Sequence, residues 1–352
     1  MAAVHIYAAY GADTESNGLA IIHPISGTVR MEKNSVYDAE FTTDADIHGK
    51  FRYVQIGALA KIPVRYHGRI TKQLFRIYDT DNGTEASGRS TVKAKAKHIF
   101  YDLTASMLTD CRPTQLAGAD AIAWMLNGVH GGAVTAYTFA SDIERMSTAY
   151  YQNVNLVAAL LGADNAFVTR WGGALYRDNY YFSLHEEMEG CMSTGVIRYG
   201  YNMQSISFKI NDSKCITDLI AEDNFGNTVE IHNPDVPSQR FPLHRYGYTK
   251  FQYDEEDVEQ LRTDAQAYFD KYAEPTVSIK VKIADLHDVE LYKDFINLAA
   301  YEVGDRVVIY HSELGISYKN LEIIAKTYDF VNDITTSTEI GSFRDAIIRE
   351  TA

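Results

Sequence analysis

The stretch YEVGDRVVIYHSELGISYKNLEIIAKTYDFVNDITTSTEIGSF, residues 301–343, decides the fold class. After a Gly304-Asp305 turn, the segment 306–310 carries apolar side chains on both alternating faces, which predicts a strand buried on both sides. Residues 321–328 alternate apolar and charged side chains and predict a strand with one wet face. An Asn332-Asp333 turn leads into a third strand at 335–343. Three consecutive antiparallel strands predict a small β barrel or sandwich.

The first hundred residues have a similar pattern, with short apolar runs separated by Gly, Asn and Asp. A strand every roughly 8 to 12 residues with a turn signal between is typical of a sandwich or barrel. The predicted strands are 4–10, 19–22, 36–42, 53–56, 62–66, 74–78 and 92–96, with a hairpin tip at 79–90. We therefore predict a first β-barrel domain over residues 1–97.

From His98 the apolar period changes to that of a helix. Ile99, Leu103 and Met107 recur at spacings of four, and Asn153 and Gly162 are suited to cap a further helix between them. Other elements predicted in this region are a helix at 116–126 and strands at 134–139, 166–170 and 180–184. Residues 98–204 are thus predicted to form an α+β domain.

The remaining sequence predicts a second β-barrel domain interrupted by an insertion. Strand patterns occur at 196–199, 205–210, 216–221 and 277–283. We assign 205–222 and 276–352 to the second barrel and 223–275 to the insertion. Within the insertion, residues 223–253 are predicted to be irregular with little core, and 258–272 to form one amphipathic helix with acidic residues before it. The fold class is therefore α+β, mainly β, with several domains.

Composition excludes several functions. A chain of 352 residues with 46% hydrophobic and 23% charged residues is typical of a globular protein made in the cytoplasm. Its net charge of −14 argues against stable binding to nucleic acid or to an anionic membrane, because both require clustered Lys and Arg. No window approaches the roughly 18 apolar residues of a membrane-spanning helix. Cys111, Cys191 and Cys215 are far apart, which predicts reduced thiols and no zinc site.

Two groups of polar residues could carry chemistry. His98 and Asp102, at i and i+4, could share a helix face for metal or acid–base work, but no third ligand accompanies them. A glutamate cluster at 186, 187 and 189, beside His185, could supply the paired carboxylates of a glycoside hydrolase. Neighbouring glutamates point in different directions, so a solvated loop is the favoured interpretation.

Trp171 beside Gly172-Gly173 could stack on a sugar, although one Trp at a Gly turn more often packs in a core. The sequence contains no GxSxG, HExxH or Walker A motif, and no GxGxxG before a helix. We therefore predict no catalytic, cofactor-binding or metal site, no cofactor, and no enzymatic activity.

An ordered series of motifs resembles the prophage tail (tail-associated, or Tal) protein family. The motifs are QLFRIY (73–78), HIFYDL (98–103), RPT (112–114), TFASDI (138–143), GGALYRDNY (172–180), IRYGYNM (197–203), EPTVSIKV (274–281), and the closing VGD, LGI and EIGSF of the opening stretch. Each is weak alone, but their common order extends over nearly the whole chain. In this resemblance His98, Asp102 and the segment 171–179 are structural.

The resemblance implies a structural hub at the tip, or baseplate, of a phage tail or tail-like particle, located in the virion and synthesised in the bacterial host cytoplasm. The two barrels would form a homotrimeric ring that lines the ejection channel. Its partners would be the distal tail protein, the tape-measure protein and tip or fibre proteins. Many family members continue into a cell-wall peptidase or fibre, whereas this sequence ends at Ala352, which puts lytic activity in doubt. The alternatives are a tail-associated cell-wall hydrolase and a carbohydrate-binding tip protein.

Overall fold

The structure, a computed structural model, describes residues 2–46, 48–84, 86, 88–131, 134–162, 165–188, 195–238, 241–253, 255–273, 276–283 and 301–341. It is mainly β, as predicted. The chain divides into two compact units. Unit one comprises Met1–Ser205 and Val281–Ile340, and unit two comprises Ile206–Lys280 and Gly341–Ala352. The predicted division into four domains stays a prediction.

Strands outnumber helices along the described chain. In chain order the strands are β1 (Val4–Tyr7), β2 (Ala20–Ile22), β3 (Ser26–Glu32), β4 (Tyr37–Asp44), β5 (Leu59–Tyr66), β6 (Arg69–Thr84), β7 (Ser90–His98), β8 (Met107–Leu108), β9 (Val129–His130), β10 (Thr138–Ser141), β11 (Val154–Asn155), β12 (Ala174–Asp178), β13 (Tyr181–His185), β14 (Gly195–Arg198), β15 (Met203–Asn211), β16 (Asp218–Glu222), β17 (Thr228–His232), β18 (Tyr246–Lys250), β19 (Thr276–Ile283), β20 (Arg306–His311), β21 (Ile316–Asp329) and β22 (Ile334–Gly341). The α-helices are α1 (Gly118–Asn127), α2 (Leu156–Leu161), α3 (Phe167–Arg170) and α4 (Val258–Tyr272), and 3₁₀ helices occur at Lys50–Tyr53, Ile99–Ala105 and Val134–Ala136.

A long sheet joins the two ends of the sequence. Among the described residues of unit one its strand order is β22-β21-β3-β4-β7-β6-β5-β1-β2, with β20 beside β21 and β14 beside β20. The pairing of β21 with β3, from Ala325 opposite Glu32 to Asp329 opposite Thr28, connects the C-terminal strands to the N-terminal ones. No closed barrel is present in the described part of the chain, so the two predicted barrels are not confirmed.

Alternating burial explains the N-terminal strands. Along β4 every second residue is buried, beginning with Tyr37, and this face packs with Phe75 of β6 and Phe330 after β21. Gly27 lies against Phe330, because a Cβ at this position would stand 2.2 Å from the phenyl ring. A side chain larger than hydrogen at position 27 would therefore displace the ring from the core.

The structure differs from the predictions for the N-terminal region at three places. Residues 53–56 do not form a strand, because Tyr53 ends a 3₁₀ helix and residues 54–56 follow it. The strand β3 was missed because its Gly, Thr and Arg residues interrupt the apolar alternation. The predicted hairpin tip at 79–90 is mostly strand, since β6 and β7 continue to pair as far as Thr84 and Ser90. The ion pair between Lys95 and Asp79, with 3.2 Å between nitrogen and oxygen, shows how charged side chains line this exposed ladder.

The middle of unit one has its own apolar core, built by α1 to α3 and two small sheets. The helix predicted from residue 99 is a 3₁₀ helix that ends at Ala105, and Met107 lies in β8, exposed. The predicted strand at 166–170 is α3, because Phe167 and Trp171, four residues apart, stack their rings. The helix expected after Asn153 begins one half-turn later, where the Asn155 side chain accepts a hydrogen bond from the Ala158 N–H at 2.8 Å.

Unit two contains a three-stranded sheet covered by α4. β16 pairs antiparallel with β17 and parallel with β18. Leu261, Ala265 and Phe269 of α4 pack on Leu219 and neighbouring apolar residues of this sheet. The helix was predicted correctly, but the prediction of an irregular segment at 223–253 with little core was wrong. Polar side chains dominate β17 and β18 because one face of the sheet is exposed.

None of the described helices is both long and apolar enough to cross a bilayer.

Candidate functional site

Polar residues of the sequence motifs meet inside unit one and hydrogen-bond to one another. His98 is fully buried and its Nδ1 accepts the Phe100 N–H at 3.2 Å, so its Nε2 is the donor to Gln73 Oε1 at 3.1 Å. Gln73 Oε1 also accepts the Asn179 N–H at 3.1 Å, and Gln73 Nε2 donates to Asp178 Oδ1 at 2.9 Å. This network ties three motifs together: QLFRIY, HIFYDL and GGALYRDNY.

His98 and Asp102 do not act as a pair. Burial holds the pKa of His98 well below its ordinary value, which keeps the ring neutral. Asp102 instead pairs with Arg76, with 2.6 Å between Nη2 and Oδ2 and 2.9 Å between Nε and Oδ1. Both side chains therefore have structural partners.

Arg177 of the GGALYRDNY motif is buried, and no carboxylate of the described residues forms an ion pair with it. Its guanidinium donates to the backbone oxygens of Ser35 at 2.7 Å and Glu32 at 3.1 Å, and to the Tyr101 hydroxyl at 2.8 Å. It also lies 5.1 Å from the ring centre of Tyr37. The β3–β4 turn is thereby held against β12.

Asn202 of the IRYGYNM motif covers the outer edge of β14. Its Nδ2 donates to Val196 O at 2.8 Å, and its Oδ1 accepts the Arg198 N–H at 2.8 Å. The Tyr301 hydroxyl adds a second donor to Val196 O at 2.9 Å. A side chain thus takes the place that a neighbouring strand would occupy.

A buried ionic group lies next to the VGD motif, residues 303–305. Lys326 Nζ lies 2.6 Å from Glu302 Oε1, and both side chains are nearly inaccessible to solvent. The same Glu302 oxygen accepts the His67 N–H at 3.1 Å, and Asp305 Oδ2 accepts the Glu302 N–H at 2.7 Å. Glu302 therefore connects the β5–β6 turn to β21, and Asp305 of the motif holds the Glu302 backbone.

The glutamate cluster does not present paired free carboxylates among the described residues. Glu187 Oε1 lies 2.8 Å from Arg306 Nη2, an ion pair. The Glu186 N–H donates to Asp142 Oδ1 at 3.0 Å, and His185 Nδ1 lies 3.1 Å from Asp142 Oδ2. Position 189 lies outside the described residues.

Trp171 cannot stack on a sugar, because only 2% of it is exposed. Its ring lies on Phe167, with 4.8 Å between ring centres, and its Nε1 donates to Leu116 O at 2.8 Å. The hypothesis of a Trp171 sugar site was therefore wrong. Of the three cysteines, Cys111 and Cys215 are buried and are not joined in a disulfide, and position 191 lies outside the described residues. Burial raises the pKa of Cys111, which disfavours a nucleophilic thiolate.

Unit two contains a titratable cluster that sequence reasoning missed. The carboxylate of Asp218 is buried, with His232 Nδ1 2.7 Å from one oxygen and His244 Nδ1 2.8 Å from the other. The Thr217 hydroxyl donates to it at 2.7 Å. Burial alone would raise the pKa of Asp218, but these hydrogen bonds lower it below its ordinary value. The hydrogen bond between His232 and Asp218 raises the pKa of His232 above its ordinary value.

No spacing rule could have found this cluster, because its members come from three separate strands and loops. In the described part of the chain, no group of three or more His, Cys, Asp and Glu side chains is arranged to hold a metal ion.

The architecture is that of phage tail proteins, and three solved structures share it. The tail protein from Neisseria meningitidis MC58 matches with a TM-score of 0.66 and 10% identity, covering 97% of this chain and 96% of that one. Prophage tail protein gp18 from Listeria monocytogenes EGD-e matches with a TM-score of 0.60 and 15% identity, covering 99% and 96%. A chain of the Francisella PdpA-VgrG complex matches with a TM-score of 0.56 and 9% identity, covering 98% of this chain but 58% of that one.

The resemblance to the prophage tail family is confirmed. Residues 192–350 match the model of the family described as Prophage endopeptidase tail. A comparison with curated protein sequences finds no match. The chain thus has the fold of tail proteins, and residues 192–350 match the prophage tail family.

Proposed function

We propose that the protein is a structural hub at the tip of a phage tail or tail-like particle, where it joins the tail tube to tip or fibre proteins. The observation that carries the proposal is the end-to-end match of fold, which covers at least 96% of both chains for two tail proteins. A match over one domain alone would indicate only that the proteins share that domain. A match over the whole length supports the proposal that they occupy the same place in the particle.

The proposed hub is a homotrimeric ring whose lumen is part of the ejection channel. Exposed aromatic residues support an assembly, because Tyr246 and Tyr248 on β18 are 62% and 60% exposed. β18 is the edge of its three-stranded sheet, and an exposed edge strand favours association. The proposed partners besides the chain itself are the distal tail protein, the tape-measure protein and tip or fibre proteins.

Immunogold labelling of purified particles tests the location. Antibodies against the chain should label one end of the tail, at the tip. Label along the tube or on the capsid would contradict the proposal. Particles from a strain that lacks the gene, complemented with an epitope-tagged copy, provide the control for antibody specificity.

A cell-wall hydrolase is the second candidate, because the matching family is described as an endopeptidase. We propose that this chain is not an enzyme, since Glu187 is held by Arg306 and Trp171 is buried. A zymogram on bacterial cell walls separates the two candidates. The hub proposal expects no clearing, whereas clearing that disappears in Glu186→Gln or Glu187→Gln variants would establish the enzyme.

A further inference from the structure

A cleft of about 570 Å³ opens on unit one between β14, β20 and the start of β21. Pockets of this size are ordinary for small-ligand sites, which span roughly 300–1,000 Å³. It is lined by Val196, Arg198, Tyr199, Tyr310, His311, Ser312, Gly315, Ile316 and Ser317. None of these nine residues is acidic, although the chain as a whole carries a net charge of −14.

The polar side chains of the cleft are hydrogen-bond donors. Arg198 is exposed, and its guanidinium has no hydrogen-bond or ion-pair partner among the described residues. His311 Nδ1 accepts the Leu314 N–H at 3.3 Å, so the proton of the neutral ring lies on Nε2. The hydroxyls of Tyr199 and Tyr310 complete a set that offers N–H and O–H groups and no carboxylate.

Ring stacking and strand pairing hold the residues that carry these donors in place. Tyr199 stacks on His311, with 4.1 Å between ring centres and 18° between ring planes. The Tyr199 N–H donates to Tyr310 O at 3.0 Å, and β14 pairs in parallel with β20 from Gly195 to Arg198. Because Asn202 already bonds Val196 O and Arg198 N, the outer edge of β14 cannot accept an added strand at these two atoms. A ligand must instead enter the cleft and contact side chains.

We propose that this cleft binds a carboxylate-bearing ligand whose body is apolar or aromatic. Arg198 takes the carboxylate, because the guanidinium fork matches its two oxygens. The rings of Tyr199 and Tyr310, with Val196 and Ile316, contact the body. The lining contains no carboxylate or amide side chain, so the charged Arg198 favours an anionic ligand over a neutral sugar. This inference is independent of the tail-hub proposal.

Binding is measured by ligand-observed NMR with N-acetyl-phenylalanine, which carries the carboxylate and a ring, and with its neutral C-terminal amide. The amide should bind at least about tenfold more weakly, because it cannot form the charge-assisted hydrogen bonds. Phenyl phosphate is the third ligand compared, because a guanidinium binds both carboxylates and phosphates in bidentate fashion. Tighter binding of phenyl phosphate would overturn the choice of carboxylate.

Variants of the cleft locate the site. Arg198→Gln should weaken N-acetyl-phenylalanine binding by about tenfold or more, and Arg198→Lys by less, because Lys keeps the charge but loses the fork. Arg145→Gln, at an exposed arginine outside the cleft, should leave binding unchanged. Tyr310→Phe keeps the ring and should cost only a fewfold loss. Equal binding of acid and amide, or unchanged binding by Arg198→Gln, would overturn the proposal.

Discussion

At the scale of single residues, the polar and aromatic side chains that suggested chemistry prove to hold the structure together. His98, Asp102 and Arg177 each have partners inside unit one, and they come from segments far apart in the sequence. Buried polar groups need such partners, because an unpaired group costs roughly 1–3 kcal/mol. These motif residues therefore specify how the segments of unit one meet.

Trp171 and Trp124 form a matched pair for testing this view, since they are the two tryptophans of the chain. Trp171→Ala should lower the free energy of unfolding by roughly 3–5 kcal/mol, because it empties a packed core position. Trp124 is 55% exposed, and Trp124→Ala should change stability by less than about 1 kcal/mol. Chemical denaturation measures both. Equal effects would contradict the packing described for Trp171.

The Asp218 cluster predicts a pH-dependent stability in unit two. Because the pKa of Asp218 is lowered, its ionised carboxylate stabilises the fold above pH 3.8, the ordinary value. This stabilisation is lost as pH falls through the lowered pKa. Because the pKa of His232 is raised, its protonated ring stabilises the fold below pH 6.5, the ordinary value. This stabilisation is lost as pH rises through the raised pKa. The cluster should therefore contribute most between these two values.

Asp218→Asn should bring the pKa of His232 down toward its ordinary value and flatten the pH dependence of thermal unfolding. Proton NMR of the histidine rings measures the first effect and calorimetry the second. Asp235→Asn, at an exposed aspartate of the same unit, is the control. A His232 titration that is unchanged in Asp218→Asn would show that the buried carboxylate does not govern it.

At the scale of elements, the outer edge of β14 is hydrogen-bonded by a side chain, Asn202, instead of by a neighbouring strand. Asn202 is fully buried and bonds two backbone groups of β14. Asn202→Ala should lower the free energy of unfolding by roughly 1–3 kcal/mol, because the Arg198 N–H loses its partner and Val196 O keeps only the Tyr301 hydroxyl. Gln204→Ala, two residues on and exposed, should have little effect. Denaturant titration compares them, and equal losses would contradict the capping role.

Sequence periodicity predicted the elements whose pattern is regular. The strands β20 to β22 and the helix α4 were predicted near their observed positions, because alternation and an i, i+4 stripe are strong signals. β3 was missed, since Gly27 and Thr28 break its apolar pattern and Gly27 is needed to accommodate Phe330. α3 was predicted as a strand because one helical turn is too short to show a period.

Long-range contacts were beyond sequence reasoning. The pairing of β21 with β3 joins residues about three hundred positions apart, and only the structure shows it. The same is true of Asp218, His232 and His244, which share no spacing that would mark a site. The motifs did indicate the family, because their order is a property of the sequence itself.

At the scale of the whole molecule, the net charge of −14 suits a protein that lines a channel for nucleic acid. A lumen that held DNA would hinder ejection, since each phosphate contact by Lys or Arg adds salt-dependent affinity. We predict negligible binding of duplex DNA even at low ionic strength. Gel-shift assays should show free DNA throughout. Tight binding that weakens steeply with salt would reveal a concealed basic surface and contradict the proposed channel.

The proposed hub is a ring of three chains at the tail tip, and its mass in solution tests that proposal. Light scattering coupled to size-exclusion chromatography measures the mass directly, and concentration must be varied because assembly follows mass action. The account predicts that the mass rises to three times the 39.5 kDa of one chain. Addition of the purified distal tail protein should favour the same trimer if the chain alone assembles weakly. A mass of one chain at every concentration, with and without that partner, would contradict the account.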